Sequence, residues 1–513
     1  MNANRFNYQK AIFSFLVAAV VSLGVWAAFL YPLCEDVTYL LHATGQLFSG
    51  EKYGIDIFET NPPIILYLYS LPYFFAKWTS CDLFSFFRFY VIFLILFSVF
   101  LSNFLVKKII QRDNIATSFL IISWLVILLF LPNSEFGQRE HFFIILASPY
   151  IFLVACRLQN KKIGSFLACL IGLMLGLGVG MKPFFVLLPL FIEIFYLIKK
   201  RNFFAIWRAE IIAMGIMLAG LIASIFFFQP GYFHTILPLV FKFYFPAKSQ
   251  SWEAFSVLPN VIFCFAIIVA YLFSYRYDRY FSIGSMLWLA LCAMTAAFII
   301  PSMPWYYHVL PAFSLAFLLV LYGAGCGLSS VISSSSNRKS LCQGVALWVG
   351  CVALVLFFPL HFFYQFCSSL SVFKENEPSF KIASYLNTQQ GERSVYCIQL
   401  SALDCFPLVQ NTHSQYASRF PGWWWYPELR ILEQENSSSA LRYKLYFIGL
   451  LVDDLNQHSP RWVIVDQNRF QAVESNVSFQ VLDYLSENPD FRRVWKNYHY
   501  VKSFNGEILY ERG

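Results

Sequence analysis

Apolar residues in this 513-residue chain arrive in blocks of about 20, the length that crosses a bilayer as a helix. Lipid offers no hydrogen-bonding partners, so a backbone in such a block has to bond to itself, and helix is the local solution. Hydrophobic residues make up 58% of the chain, aromatic residues 20% and charged residues 13%, which excludes an ordinary soluble protein. The first block, Ala11 to Leu30, follows Arg5 and Lys10 as a secretory signal would. It is longer than a signal core and has no small-x-small cleavage site, so it is read as an uncleaved span.

Apolar runs predict about eleven spans of ~20 residues. They cover 11–31, 86–106, 115–132, 141–156, 163–181, 183–198, 209–229, 257–274, 281–300, 305–323 and 341–363. With the N-terminus inside, the cytoplasmic ends collect Lys107-Lys108-Arg112, Arg157-Lys161-Lys162, Lys199-Lys200-Arg201-Arg208, Arg276-Arg279 and Arg338-Lys339. Together with Arg5 and Lys10 that places sixteen basic residues inside against seven outside, as the positive-inside rule requires. The run Pro62–Trp78 is kept out of the count. It begins with Pro-Pro, contains Pro72, and as a span would put Lys107 and Lys108 outside. It is expected to be a helix in the outer interface, with a short re-entrant hairpin as the alternative.

The character changes near Lys374. The chain has 37 Lys+Arg and 29 Asp+Glu, of which residues 361–513 carry 14 and 16, so the basic excess belongs to the membrane part. There it reports orientation, and no Arg-rich patch points to nucleic acid. Ser394–Ile398 and Trp462–Val465 read as strands and Val481–Leu485 as helix. The fold expected is an α-helical polytopic membrane protein with a C-terminal extracytoplasmic α/β domain. Residues 1–365 form the membrane domain, with a first outer loop over 32–85, and residues 366–513 the tail. Ser333 to Ser336 reads as a linker. Cys397 and Cys405 lie in the tail, where bridged and free states are both open.

This topology sends the unusual polar residues to one side. Glu35, Asp36, Glu59, Arg88, Glu135, Arg139, Glu140, His141, Lys182 and His308 fall at or near outer helix ends. Glu35-Asp36 opens a helical stripe of Tyr39, Leu40, Ala43 and Leu47. Adjacent helical residues point about 100° apart, so one of the two carboxylates faces a substrate as general base. The alternative is that Asp36 caps the helix. Pro183 breaks the helix ladder behind Lys182 and frees that cation to face a headgroup. Lys182, Arg139 and His308 together suit a phosphate. The alternatives are a structural Arg139-Glu140 pair and a His308 satisfied at the interface. The chain has no P-loop, no GxGxxG before a helix, no HExxH and no CxxC pair.

The acidic pair, Tyr39, Gly50, Tyr53 and Glu59-Thr60-Asn61-Pro62-Pro63 resemble the bacterial GT-C membrane glycosyltransferases. Relatives of that class include protein O-mannosyltransferases and the aminoarabinose transferases of lipid A. Arg139-Glu140-His141, Lys182-Pro183, Tyr307-His308 with Pro311, and Ser418-Arg419-Phe420 with Trp423 extend the resemblance along most of the chain. The order Glu35-Asp36 reverses the usual Asp-Glu, and Asn61 stands where His or Lys is common.

The resemblance implies transfer of a sugar from a polyprenyl-phosphate donor to lipid A, another glycan or protein. Transfer takes place at the outer face of the cytoplasmic membrane. Asp36 or Glu35 would be the catalytic base, and Lys182, Arg139, His308, Glu59, Arg88 and Tyr39 the substrate and phosphate residues. Carrier phosphate is a good leaving group, so no cofactor is required. A divalent metal at the acidic loop is open, without assigned ligands. The rival readings are a transporter or flippase and an O-antigen ligase or polymerase. Transporters favour internal repeats and ionisable residues at mid-membrane, where only Glu193 is a candidate.

Overall fold

The computed structural model describes residues 2–30, 33–111, 113–248, 281–300, 306–333, 378–402 and 405–513. By its contacts the chain divides into two compact units. One comprises Met1–Pro32, Leu71–Ser224 and Ser251–Tyr364, the other Leu33–Ser70, Ile225–Gln250 and Gln365–Gly513.

The first unit is helical: α1 (Asn2–Leu30), then, beyond α2 (Glu35–Ser49) and α3 (Ile64–Thr79), α4 (Leu83–Ile109), α5 (Asn114–Phe130), α6 (Arg139–Leu158), α7 (Ser165–Met181), α8 (Leu187–Lys200), α9 (Ala209–Phe228), α10 (Phe281–Ile299) and α11 (Tyr306–Ser333). Helix thus forms at each expected span that falls on described residues; the spans 257–274 and 341–363 and the Ser333–Ser336 linker lie wholly or largely outside them. Six of these helices, α1, α4, α6, α9, α10 and α11, are long and apolar enough to cross a membrane, while α5 and α7 are shorter apolar helices. Phe15, Phe93, Phe100 and Phe227 stand exposed on α1, α4 and α9. Apolar surface on that scale suits lipid and not water. The run after Pro62-Pro63 is helix α3, with Pro72 inside it.

Helix α6 is the hub, buried along most of its length between α4 and α7. Pro149 has no N–H to give to the Ile145 carbonyl one turn back. Ser98 of α4 donates to that carbonyl at 2.5 Å and Ser148 at 3.3 Å, so the freed acceptor becomes a tie between helices. On the opposite side α7 presents Gly172 and Gly176 to α9. A Cβ on Gly172 would collide with the Glu210 backbone, and one on Gly176 would stand 2.7 Å from Met217 Cβ. The small-xxx-small spacing permits this close approach. Gly172→Leu is therefore expected to cost more than the ~1–3 kcal/mol of ordinary overpacking, because backbone blocks relief. A lowered thermal midpoint in detergent checks it, and an unchanged midpoint would refute the close packing.

Near the same end, Arg157 of α6 pairs with Glu210 at 3.1 Å, and Arg208 and Tyr150 both bond to Glu193. Glu193 is thus satisfied by neighbours within the unit.

In the second unit the tail folds as α12 (Pro378–Thr388), β1 (Ser394–Ile398), α13 (Cys405–Thr412), β2 (Gln415–Tyr416), α14 (Tyr426–Gln434), α15 (Ala440–His458) and β3 (Trp462–Asp466). Short helices then lead to β4 (Tyr498–Phe504) and β5 (Glu507–Arg512). The sheet order is β2-β1-β3-β5-β4, with β1 parallel to β2 and β3 and the other pairs antiparallel. Strands β1 and β3 are buried at every residue, as central parallel strands covered on both faces should be. Val481–Ser486 is helical as expected. Cys397 and Cys405 form a disulfide that joins β1 to the start of α13.

The tail carries two segments from elsewhere in the sequence. Helix α2 lies on α13, with the Tyr39 and Phe406 ring centroids 5.1 Å apart. Residues 232–248 form helical turns in which Phe243 meets the Tyr443 and Phe447 rings of α15.

Candidate functional site: an acidic helix and a buried cationic cluster

The acidic pair sits at the start of α2. Cys34, in extended conformation, occupies the N-cap position without a side-chain cap bond, so Glu35 and Asp36 are the first two helical residues. Asp36 is therefore not the cap. Both carboxylates complement the helix dipole there, and both are half-buried. Tyr39, Leu40, Ala43 and Leu47 are all buried, as the stripe predicted.

The Pro-Pro loop then returns to this unit. Glu59 is 5% exposed, and its Oε1 accepts the Asn61 backbone N–H at 2.9 Å and the Asn61 side-chain amide at 2.6 Å. Asn61, which replaces a cationic or imidazole residue in the resemblance, here fixes the Glu59 turn. Tyrosines gather at this carboxylate. Burial, then the Glu59 charge, pushes the Tyr53 hydroxyl well above its ordinary range, with Tyr39, Tyr232 and Tyr67 contributing. Tyr232 is raised for the same two reasons. The Tyr53 hydroxyl is buried with no hydrogen-bond partner among the described residues. Tyr53 is itself held through its N–H, which donates to Gln229 at 3.0 Å.

The cationic residues belong to the first unit. Gly137, at φ +84°, turns the chain into α6, and a Cβ there would strike the Phe87 ring. The Gly137 N–H donates to His141 Nδ1 at 3.0 Å, while His141 Nε2 lies 2.9 Å from the Leu128 carbonyl. Both imidazole nitrogens are thus occupied, and His141 is a structural residue of this turn. Next to it, Glu140 is 1% exposed and receives Lys182 as an ion pair and His308 Nδ1 at 3.2 Å. Its second oxygen is buried without a hydrogen-bond partner among the described residues. Lys182 occupies an extended residue between α7 and the turn Pro183–Val186, with its ammonium 5.3 Å from the Tyr307 ring centroid. Arg139 is buried beside Glu140 in the first turn of α6.

Lys182, Arg139 and His308 therefore do come together, around Glu140 as their centre. Glu140 organises them by attracting Lys182 and His308, with the Arg139 charge beside it. Arg88 is placed differently. Its Nε donates to the Ala28 carbonyl at 2.8 Å, and its guanidinium lies 5.4 Å from the Phe29 ring, so it serves the C-terminal end of α1. Among the described residues no group of three or more His, Cys, Asp or Glu comes together to hold a metal ion.

No protein-family model and no curated protein matches the chain. Solved structures do. The crystal structure of ArnT from Cupriavidus metallidurans bound to undecaprenyl phosphate superposes with a TM-score of 0.57 at 12% identity. The match covers 98% of this chain and 97% of that one. The chain has the ArnT fold. ArnT in the apo state matches at a TM-score of 0.55 and 12% identity, over 97% of this chain and 98% of that one. Near-complete coverage on both sides includes the tail as well as the helices. At 12% identity the ArnT likeness is one of fold alone.

Proposed function

We propose that the chain is a glycosyltransferase that moves a sugar from a polyprenyl-phosphate donor to an acceptor at the outer face of the cytoplasmic membrane. The observation that carries this reading is the ArnT fold, found in a structure bound to undecaprenyl phosphate. It is joined here to a buried cluster in which the cations of Lys182 and Arg139 lie beside Glu140. Buried cations in a low-dielectric site suit a phosphate.

In this reading Asp36 takes the proton from an acceptor hydroxyl. The acceptor oxygen then bonds to the anomeric carbon with inversion, and the bond from that carbon to the phosphate oxygen breaks. The carrier phosphate leaves with the electron pair, and Lys182 and Arg139 offset the charge it gains. His308 and Glu140 hold Lys182 in place. Glu59, Tyr39 and the neighbouring tyrosine hydroxyls offer polar contacts to the sugar. Residues 1–365 form the transferase body and 366–513 a periplasmic domain. The Cys397–Cys405 disulfide supports an oxidising compartment for the tail.

The test is direct. Purified protein given a labelled polyprenyl-phosphate sugar and envelope acceptors is expected to transfer label, and cells lacking the protein to lose one sugar from an envelope component by mass spectrometry. Carrier-linked sugar that crosses vesicle membranes without transfer would replace this reading with a flippase.

A further inference from the structure

The tripeptide Ser418-Arg419-Phe420 lies in the tail, far in sequence from the first outer loop, yet it makes a dense set of bonds to that loop. Arg419 Nε donates to Asp454 Oδ1 at 2.7 Å, and the Arg419 backbone N–H donates to Oδ2 at 3.2 Å. A different arm of the same guanidinium, Nη1, donates to the Ile55 carbonyl at 2.8 Å. Arg419 then gives its own carbonyl to the Phe58 N–H at 3.0 Å. Trp424 Nε1 donates to the Phe58 carbonyl at 3.3 Å, and the Phe58 and Phe420 rings lie 4.7 Å apart.

Both polar backbone groups of Phe58 and the carbonyl of Ile55 are thus held by the tail. Glu59 is the next residue. Asp454 is 1% exposed, and burial pushes its carboxyl up to about 6 against the opposing pull of Arg419. The carboxylate needs Arg419, and Arg419, anchored by it, has one arm left to reach the loop. A planar fork serves the two partners from two separate nitrogens, whereas a lysine has a single nitrogen to place between them.

We propose that Arg419, anchored by Asp454, is a positioning residue that sets the register and direction of the Ile55–Phe58 backbone and through it the Glu59 turn. The tail then acts as a clamp on the substrate side of the site. This rests on the reading of Glu59 as a substrate-side residue of a transferase. It assigns Arg419 no contact with substrate.

The experiment uses full-length protein in detergent or nanodiscs. Arg419→Lys keeps a cation for Asp454 but loses the second arm to Ile55. Amide hydrogen exchange over residues 58–61 is expected to quicken at least tenfold, while β1 and β3 keep their protection and the thermal midpoint is unchanged. Transfer turnover should fall on the order of ten- to a hundredfold, the scale of a displaced loop. Trp424→Phe keeps the ring, removes one bond to Phe58, and should quicken the same amides to a smaller degree, which provides a test if Arg419→Lys fails to fold. Unchanged exchange at 58–61 in the folded variants would overturn the clamp, as would quickened exchange with full transfer. Quickened exchange in a protein whose wild type transfers nothing would leave the clamp standing and remove the transferase reading.

Discussion

Asp36→Asn is expected to lower sugar transfer by about 10²–10⁴-fold, the range for loss of a general base, while Glu35→Gln leaves transfer within tenfold of wild type. The two side chains leave α2 about 100° apart, so they cannot serve one acceptor equally. Asp36 precedes the buried Leu40, Ala43 and Leu47 by four, seven and eleven residues and therefore shares their face of α2, itself half-buried. Its shorter side chain also has fewer rotamers to fix. Asparagine preserves shape and the helix start, since Cys34 holds the cap position and no side-chain cap bond is lost. The measurement is label transfer from a polyprenyl-phosphate donor, with the circular dichroism of each variant as the control for folding. If both variants keep full transfer the assignment fails; a reversed pattern transfers the role to Glu35.

Lys182→Ala carries the second large effect, and two consequences have to be separated. Removing the ammonium takes the ion-pair partner from a buried Glu140, and breaking a buried pair costs about 3–5 kcal/mol. Low yield of folded protein is the expected result. The paired change Lys182→Ala with Glu140→Gln removes both charges and should restore folding. It should not restore function, because the phosphate then has Arg139 alone. Thermal stabilisation by added polyprenyl phosphate reads this out, with wild type stabilised and the double variant not. A double variant stabilised as wild type is would exclude Lys182 from phosphate binding.

The elements most legible in the sequence are those whose physics is local. Leu83–Ile109 and Phe281–Ile299 are helices because lipid leaves an apolar backbone few choices, and hydropathy reports that directly. Strands β1 and β3 announce themselves by Val, Ile and Tyr content. The β4–β5 hairpin carried an equally local signal that went unread: Asn505-Gly506, both at positive φ, is a pair suited to a two-residue turn.

What stayed illegible depends on partners distant in sequence. Glu140 looks like half of an Arg-Glu pair until α7 brings Lys182 to it from 42 residues away. Arg88 gives no sequence sign of the Ala28 carbonyl at the end of α1 that its Nε reaches in the fold. An eight-residue spacing could not decide whether Cys397 and Cys405 pair; the packing of β1 and α13 does. Asn61 departs from the motif in sequence, and only the folded turn shows the Glu59 carboxylate it serves.

The bond between Arg419 and Ile55 spans 364 positions of sequence. A ribosome working at roughly 5–20 residues per second needs on the order of 20–70 seconds to cover that distance. For that interval the Ile55–Phe58 strip has been synthesised and its anchor has not. Assembly of this half must therefore wait for translation to pass Arg419. A product cut short before Arg419 would insert its helices and still hold its acidic loop unfastened. In this chain a segment made late completes one made early, so the two are fastened only after synthesis has passed both.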